Sequence, residues 1–314
     1  MLATLDGIRA AAARIDGIAR RTPVLDLAPL LPLQVKCEHM QPIGAFKIRG
    51  AYNYLAGLTA SQRARGVITY SSGNHGQAVA FAAHRFAVPS MVVMPETAPA
   101  VKVDGARRWG AEVIFAGTTT VHRQERAEVV AAERGLVVVP PFDCLPIIEG
   151  QGTAGLEIAA QVRGVRTVVA PVGGGGLISG VAAAIKLTDP SIRVIGVEPE
   201  GAAKMSRSLA AGAPVTLASV RSIADGLMAV RPGALNFLHV QAFVDEVVTV
   251  SDDEIIEAAR VLWDAARIAI EPSGATAVAG AIPRLAEWAD DGPVVAILSG
   301  GNISLDALAA LLNQ

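Results

Sequence analysis

The chain reads as an α/β protein, two parallel-sheet units with helices between their strands. Two observations predict this. Short β-rich apolar runs alternate with helical patterns along almost the whole length, and the apolar residues are nearly all aliphatic. Hydrophobic residues make up 52 % of the 314, aromatic ones only 4 %. That is the profile of parallel strands buried on both faces. Strand–helix alternation then implies right-handed crossovers.

Taken in order, Ile8, Ala12, Ile15 and Ile18 trace an N-terminal helical stripe that faces core. A short strand is expected at 35–36. Strands at 67–70, 91–94, 112–115 and 136–139 follow at near-regular spacing, separated by segments of helical length punctuated by Gly and Pro. A second series falls at 167–172, 193–197, 246–250 and 294–298. Ser251 with Glu254 three residues on is a capping box, and Ile255, Ala259, Leu262 and Ala266 continue one apolar helix face. No low-complexity linker interrupts the chain. The regular first series therefore predicts a small domain at 66–142, inserted in a large one formed by 1–65 plus 143–314.

Lys+Arg of 27 against Asp+Glu of 29 leaves a formal charge of −2, with no basic stripe for nucleic acid and no acidic tail. Cys37 and Cys144 are too few for a disulfide framework, which points to a reducing compartment. The N-terminus lacks a positive region followed by an apolar run, so a cytoplasmic location is expected. Residues 167–185 carry no charge and could span a bilayer by length. Pro171 and five glycines within them would strand backbone polar groups in lipid, so a strand–loop–helix is expected there instead.

The chemistry begins at Lys47, in GAFKIRGA (residues 44–51). Flanked by Phe46 and Ile48, its amine has little access to water, and desolvation disfavours the charged form. A neutral amine can form an imine with an aldehyde. SSGNHGQ (71–77) places small residues, an amide and an imidazole where a strand gives way to a helix, which is where backbone N–H groups bind anions. An amine for a carbonyl cofactor beside a seat for a carboxylate suggests an amino-acid enzyme using pyridoxal phosphate. In VVAPVGGGGL (168–177) four glycines follow a strand and a helix is expected from Leu177. Such a turn can hold a phosphomonoester on its N–H groups, or serve only as a structural turn. GxGxxG spacing with a later acidic partner is not convincing here. Ser299, at the end of the last strand, could point into the crevice of an α/β sheet or cap a helix near Ser304.

These segments, in this order, resemble the fold-type II pyridoxal-phosphate enzymes, and most nearly their threonine dehydratase and serine racemase branch. The likeness runs through TPV (22–24), GAFKIRGA, SSGNHGQ, FDCLPIIEGQGTAGLEI from Phe142, VGGGGLISG from Val172, GVEP from Gly196, ADG (224–226), IEPSG from Ile270 and SGGN from Ser299. Cysteine synthases of the same superfamily carry a different lysine motif, so GAFKIRGA selects the dehydratase branch. The resemblance implies an active site in the cleft between the two domains, and a homodimer is the expected assembly. It implies that Lys47 holds the cofactor as an imine and then acts as the base at the substrate Cα. Phe46 would lie against the cofactor ring, Asn74 would bond its hydroxyl, and Ser299 would meet its nitrogen. Gly173, Gly174, Gly175, Gly176 and Leu177 would hold the phosphate, with Gly226 also at the cofactor. Ser71, Ser72, Gly73, Asn74 and His75 would take the substrate carboxylate. Ser72 would stand on the face opposite Lys47, where racemases of this branch deliver a proton.

A carboxylate at Ser299 would keep the ring nitrogen protonated and make a strong electron sink. A neutral hydroxyl favours quick loss of a β-hydroxyl. The expectation is α,β-elimination from L-threonine or L-serine to a 2-oxo acid and ammonia, with serine racemase or 3-hydroxyaspartate ammonia-lyase as the alternative. A catalytically silent binder of the cofactor is the rival from another class, and a Rossmann nucleotide binder a weaker one. His39, His84, His122 and His239 lack metal spacing, and Cys37 and Arg49 are read as structural. Two departures stand out: Ala45 replaces the commoner Ser, and no C-terminal regulatory domain is expected after SGGN. A third concerns metal. In relatives, the Glu of GVEP, a carbonyl four residues on and an acid six residues on help hold Mg²⁺ or Ca²⁺. Here these are Glu198, Ala202 and Lys204. Hard cations want anionic oxygens, so no metal is expected, and Lys204 should bridge to Glu198. The alternative leaves Lys204 in solvent, with Glu200 supplying an oxygen.

Overall fold

The computed structural model describes residues 1–71 and 73–314. Its first half runs α1 (Leu5–Ile15), β1 (Val24–Asp26), β2 (Gln34–Lys36), α2 (Ile48–Gly57), α3 (Ala60–Arg65), β3 (Val67–Tyr70), α4 (Asn74–Arg85), β4 (Ser90–Met94), α5 (Ala100–Arg108), β5 (Glu112–Phe115), α6 (Thr120–Arg134) and β6 (Val137–Val138). The second half continues with α7 (Leu145–Gln161), β7 (Thr167–Pro171), α8 (Gly176–Thr188), β8 (Arg193–Pro199), α9 (Lys204–Ala211), α10 (Ala234–Phe243), β9 (Glu246–Val250), α11 (Asp252–Ala266), α12 (Pro272–Ala281), α13 (Leu285–Trp288), β10 (Val294–Ile297) and α14 (Leu305–Leu312).

Two sheets result. One is ordered β1-β2-β10-β7-β8-β9, the other β5-β4-β3-β6. The four-stranded sheet is parallel throughout. The six-stranded one is parallel except at its edge, where β1 pairs antiparallel with β2. That corrects the purely parallel expectation. β1 is three residues in the run TPVLDLAP, too short to show a period of two. Wherever the sheets are parallel, all strands present their carboxyl ends to one edge, the usual place for a ligand crevice.

Helix faces explain the packing. Ile8, Ala11 and Ile15 of α1 are buried, whereas Ile18, expected on that stripe, lies beyond the helix end. The Ser251–Glu254 capping box forms at α11. Ile255, Ala259 and Leu262 are buried, but Ala266, in the last turn, is exposed. α7 and α8 approach with glycine against backbone. A Cβ on Gly180 would stand 2.5 Å from the Gly152 nitrogen and closer still to the Ile148 carbonyl. Around 167–185 the strand–loop–helix forms as β7, the glycine run and α8, with the helix opening at Gly176, one residue before Leu177. Among the described residues no helix is long and apolar enough to cross a membrane. Ile48, Ala51 and Leu55 of α2 share an apolar cluster with Val67 of β3 and Ala78 of α4, so α2 packs onto the four-stranded sheet's side of the molecule.

Candidate active site

A cleft of about 600 Å³ opens where the carboxyl ends of both sheets meet. It gathers Phe46, Lys47, Ser71, Asn74, His75, the four glycines from Gly173 to Gly176, Leu177, Gly226 and Ser299. Gly73 is not on its wall. There a Cβ would run into the stem of Lys102, so Gly73 gives the lysine passage. Ser72 lies outside the described residues.

Lys47 sits immediately before α2, and its Nζ donates to the Pro141 carbonyl at 2.8 Å. The Phe46 ring lies beneath it, 5.2 Å from Nζ to the centroid. The side chain is partly exposed along the cleft, yet burial around the amine lowers its pKa to about 8, because desolvation penalises the ammonium. His75, on the first turn of α4, is held well below its usual range by burial, with the Lys47 charge acting in the same direction. Its Nδ1 has no partner among the described residues.

The glycine run leaves β7 and enters α8. Gly175 has φ +102°, a conformation that L side chains rarely adopt. No side chain caps α8, which leaves first-turn N–H groups for an anion. A Cβ on Gly174 would stand 2.5 Å from the Phe142 ring, and one on Gly173 3.2 Å from the Gly226 carbonyl. Side chains at these positions would press on their neighbours.

Asn74 is held at both ends of its amide. Its nitrogen donates to Glu271 Oε1 at 2.5 Å, and its oxygen accepts from the Asn302 amide at 2.8 Å. Ser299 is not a helix cap, since Ser304 caps α14. Its hydroxyl instead donates to the Ser273 carbonyl at 3.3 Å, and the Gly226 N–H donates to the Ser273 hydroxyl at 2.9 Å.

Four charged residues were not singled out by the sequence reading. Lys102, from α5, crosses to Asp225 Oδ2 at 2.5 Å and Glu271 Oε2 at 3.2 Å. Burial raises the Glu271 carboxyl above the usual carboxylate range, with Lys102 opposing. Glu271 belongs to IEPSG, so its motif was visible but its partner, 169 positions away in sequence, was not. Arg123 of α6 also lines the cleft, unannounced by any motif.

Beneath the glycine run, Lys204 is 0 % exposed and pairs with Glu198 at 3.1 Å. Its Nζ also donates to the carbonyls of Val172, Ala202 and Leu227 at 2.9, 3.0 and 3.1 Å. The expected bridge to Glu198 forms, and Glu200 faces solvent. Glu198 further accepts the N–H groups of Met205 and Ser206, so every charge in this buried cluster is met. Arg49 is likewise structural. It is buried between Glu38 and Glu157, at 2.7 Å from each. Cys37 is buried, and desolvation pushes its thiol up to about 12. Among the described residues no cluster of His, Cys, Asp or Glu has a metal-binding arrangement.

Comparison with known proteins gives a consistent answer. The family model described as "Pyridoxal-phosphate dependent enzyme" matches residues 15–300. A serine racemase from Oryza sativa subsp. indica is 40 % identical over 98 % of this chain and 93 % of its own. An L-threonine ammonia-lyase from Thermotoga maritima is 39 % identical over 99 % of this chain and 78 % of its own. The structure of maize serine racemase superposes with a TM-score of 0.93 at 39 % identity, covering 100 % of this chain and 98 % of that one.

Proposed function

Because the chain belongs to the pyridoxal-phosphate dependent enzymes, in their fold-type II class, we propose that it catalyses α,β-elimination from a β-hydroxy amino acid. L-threonine and L-serine are the first substrates to try, with a 2-oxo acid and ammonia as products. The observation that carries this reading is a desolvated amine, Lys47, in one cleft with the uncapped N-terminus of α8.

The residues fit the cofactor. Gly173, Gly174, Gly175 and Gly176 with Leu177 would supply the anion cradle, and at each of the four glycines a Cβ would crowd neighbouring atoms. Lys47 is the amine in the same cleft, with Phe46 a ring face and Asn74 an amide on its wall. When bound, pyridoxal phosphate supplies the aldehyde that captures amines and a ring that spreads negative charge from the substrate Cα. Lys47 would then be the group that takes the Cα proton. Its lowered pKa leaves it basic yet free to accept near neutral pH. The uncapped N-terminus of α4 with Ser71 and His75 receives the substrate carboxylate. Ser299 would offer the cofactor a hydroxyl and no charge, which would favour loss of a β-hydroxyl.

Serine racemisation is the second reading, supported by relatives of both kinds; it needs an acid on the other face, the place proposed for Ser72. A silent binder would have no use for a desolvated amine. We also propose a small domain at 66–142 within a large one, a homodimeric assembly and a cytoplasmic location. The deciding experiment assays 2-oxo acid release from threonine, serine and both 3-hydroxyaspartates, with chiral analysis of residual serine. Racemisation without 2-oxo acid would overturn the elimination reading.

A further inference from the structure

One charged triad at the cleft takes no part in the proposed chemistry. Lys102, on the first turn of α5, reaches Asp225 Oδ2 at 2.5 Å and Glu271 Oε2 at 3.2 Å. Its stem passes Gly73, where a Cβ would overlap it. The Asp225 side chain is 38 % exposed and has water to answer it. Glu271 has none, being 2 % exposed, and a buried charge is costly unless it is paired. Although Glu271 stands at the amino end of α12, its side chain caps nothing there. It turns instead to Lys102 and Asn74.

Asn74 shows what this arrangement fixes. A side-chain amide has two N–H donors and one accepting oxygen. One N–H goes to Glu271 Oε1 at 2.5 Å, and the oxygen accepts from the Asn302 amide at 2.8 Å. Asn74 also lines the cleft, so the group left to face it is the second N–H. That orientation holds while Glu271 is an acceptor only, which means while it is ionised. Burial and the neighbouring Asp225 push Glu271 toward its protonated form, and Lys102 opposes them. A protonated carboxyl can donate to the amide oxygen, and the amide is then free to turn over.

We infer that Lys102 is a positioning residue: paired with Glu271, it keeps an Asn74 N–H, and not the oxygen, turned toward the cofactor's ring hydroxyl. It acts through Glu271 and Asn74 and not on the reacting atoms. The inference rests on the placing of pyridoxal phosphate in this cleft, and is independent of elimination. An N–H donor favours the anionic form of the ring oxygen. With the cofactor bound, that form absorbs at longer wavelength than the neutral hydroxyl, so the effect is readable without turnover.

The test records the absorption spectrum of the holoenzyme, free of substrate and at one pH, with melting temperatures alongside. A lost hydrogen bond corresponds to about 2- to 10-fold in an equilibrium. In Lys102→Met the ratio of the long-wavelength band to the short one should fall by that factor. Lys102→Arg should restore most of it. Asp225→Asn should leave the ratio unmoved, because Glu271 keeps its cation. Should Lys102→Met not fold, combining it with Asp225→Asn removes one unpaired acid. The ratio should still fall, since Glu271 stays buried without a counter-charge. A lower melting temperature with an unmoved ratio would make Lys102 merely structural and overturn the inference. So would an equal fall in Asp225→Asn alone, which would trace the effect to the ion pair across the cleft and not to Glu271. A parent without the long-wavelength band would sink the cofactor placement and the inference together, whereas a band that never moves sinks the inference alone.

Discussion

At the scale of the residue, Lys47 combines a nucleophile's neighbourhood with a base's. Substitution by alanine removes the amine that would hold the cofactor and the group that would take the Cα proton. Turnover should fall by several orders of magnitude rather than a few-fold, because both functions rest on one atom. Activity within about tenfold of the parent would contradict the assignment. A gentler test uses pH. Only the neutral amine captures an aldehyde, and burial brings its pKa to about 8 from the ordinary 10.5. Cofactor uptake by the cofactor-free protein, followed by its visible band, should accelerate as pH rises and level off above about 8. A rate still climbing toward 10.5 would mean that the amine is as wet as any surface lysine. Its position was legible in sequence because desolvation came from its own neighbours, Phe46 and Ile48. Arg123 was not legible, since an arginine on a helix reads as solvated until its burial is known.

Elements place these residues, and the tightest fit between elements is α7 against α8. Gly180 meets the backbone of Ile148 and Gly152 directly. Gly155 similarly leaves its neighbour room, since a Cβ there would stand 2.8 Å from the Val181 carbonyl. Backbone cannot rotate away as a side chain can, so Gly180→Ala should force the helices apart. It should cost about 2–3 kcal/mol, read as a lower denaturant midpoint at unchanged slope. α8 also carries the glycine cradle at its amino end, so cofactor affinity should fall in parallel. An unchanged midpoint would mean that the two helices are looser than described. Short aliphatic runs revealed every strand but β1, and the Ser251–Glu254 box revealed the start of α11. What they missed was short or distant. β1 offers three residues between prolines. The Lys102–Asp225–Glu271 triad joins segments more than a hundred positions apart, and no local pattern encodes that meeting. At Lys204 the motif register supplied the pairing with Glu198, but not the three carbonyls.

On the scale of the whole molecule, the cleft is a seam between two sheets, and Lys102 stitches it from the α5 side to both acids opposite. Behind the seam, Lys204 draws together the end of β7, the turn before α9 and the Leu227 loop. Lys204→Met would leave Glu198 without its counter-charge in a dry place and should cost about 3–5 kcal/mol, seen as a lower melting temperature. Long dialysis against a chelator should change neither the melting temperature nor turnover, and a loss that Mg²⁺ restores would show the site to be otherwise filled. A bound ion comes and goes with its free concentration, and the stability it confers rises and falls accordingly. A charge tethered by its own side chain cannot be diluted, competed away or withheld. The segments behind this cleft are thus insulated from the ionic state of the surroundings, and no rise or fall in a divalent ion can act on them as a signal through this position.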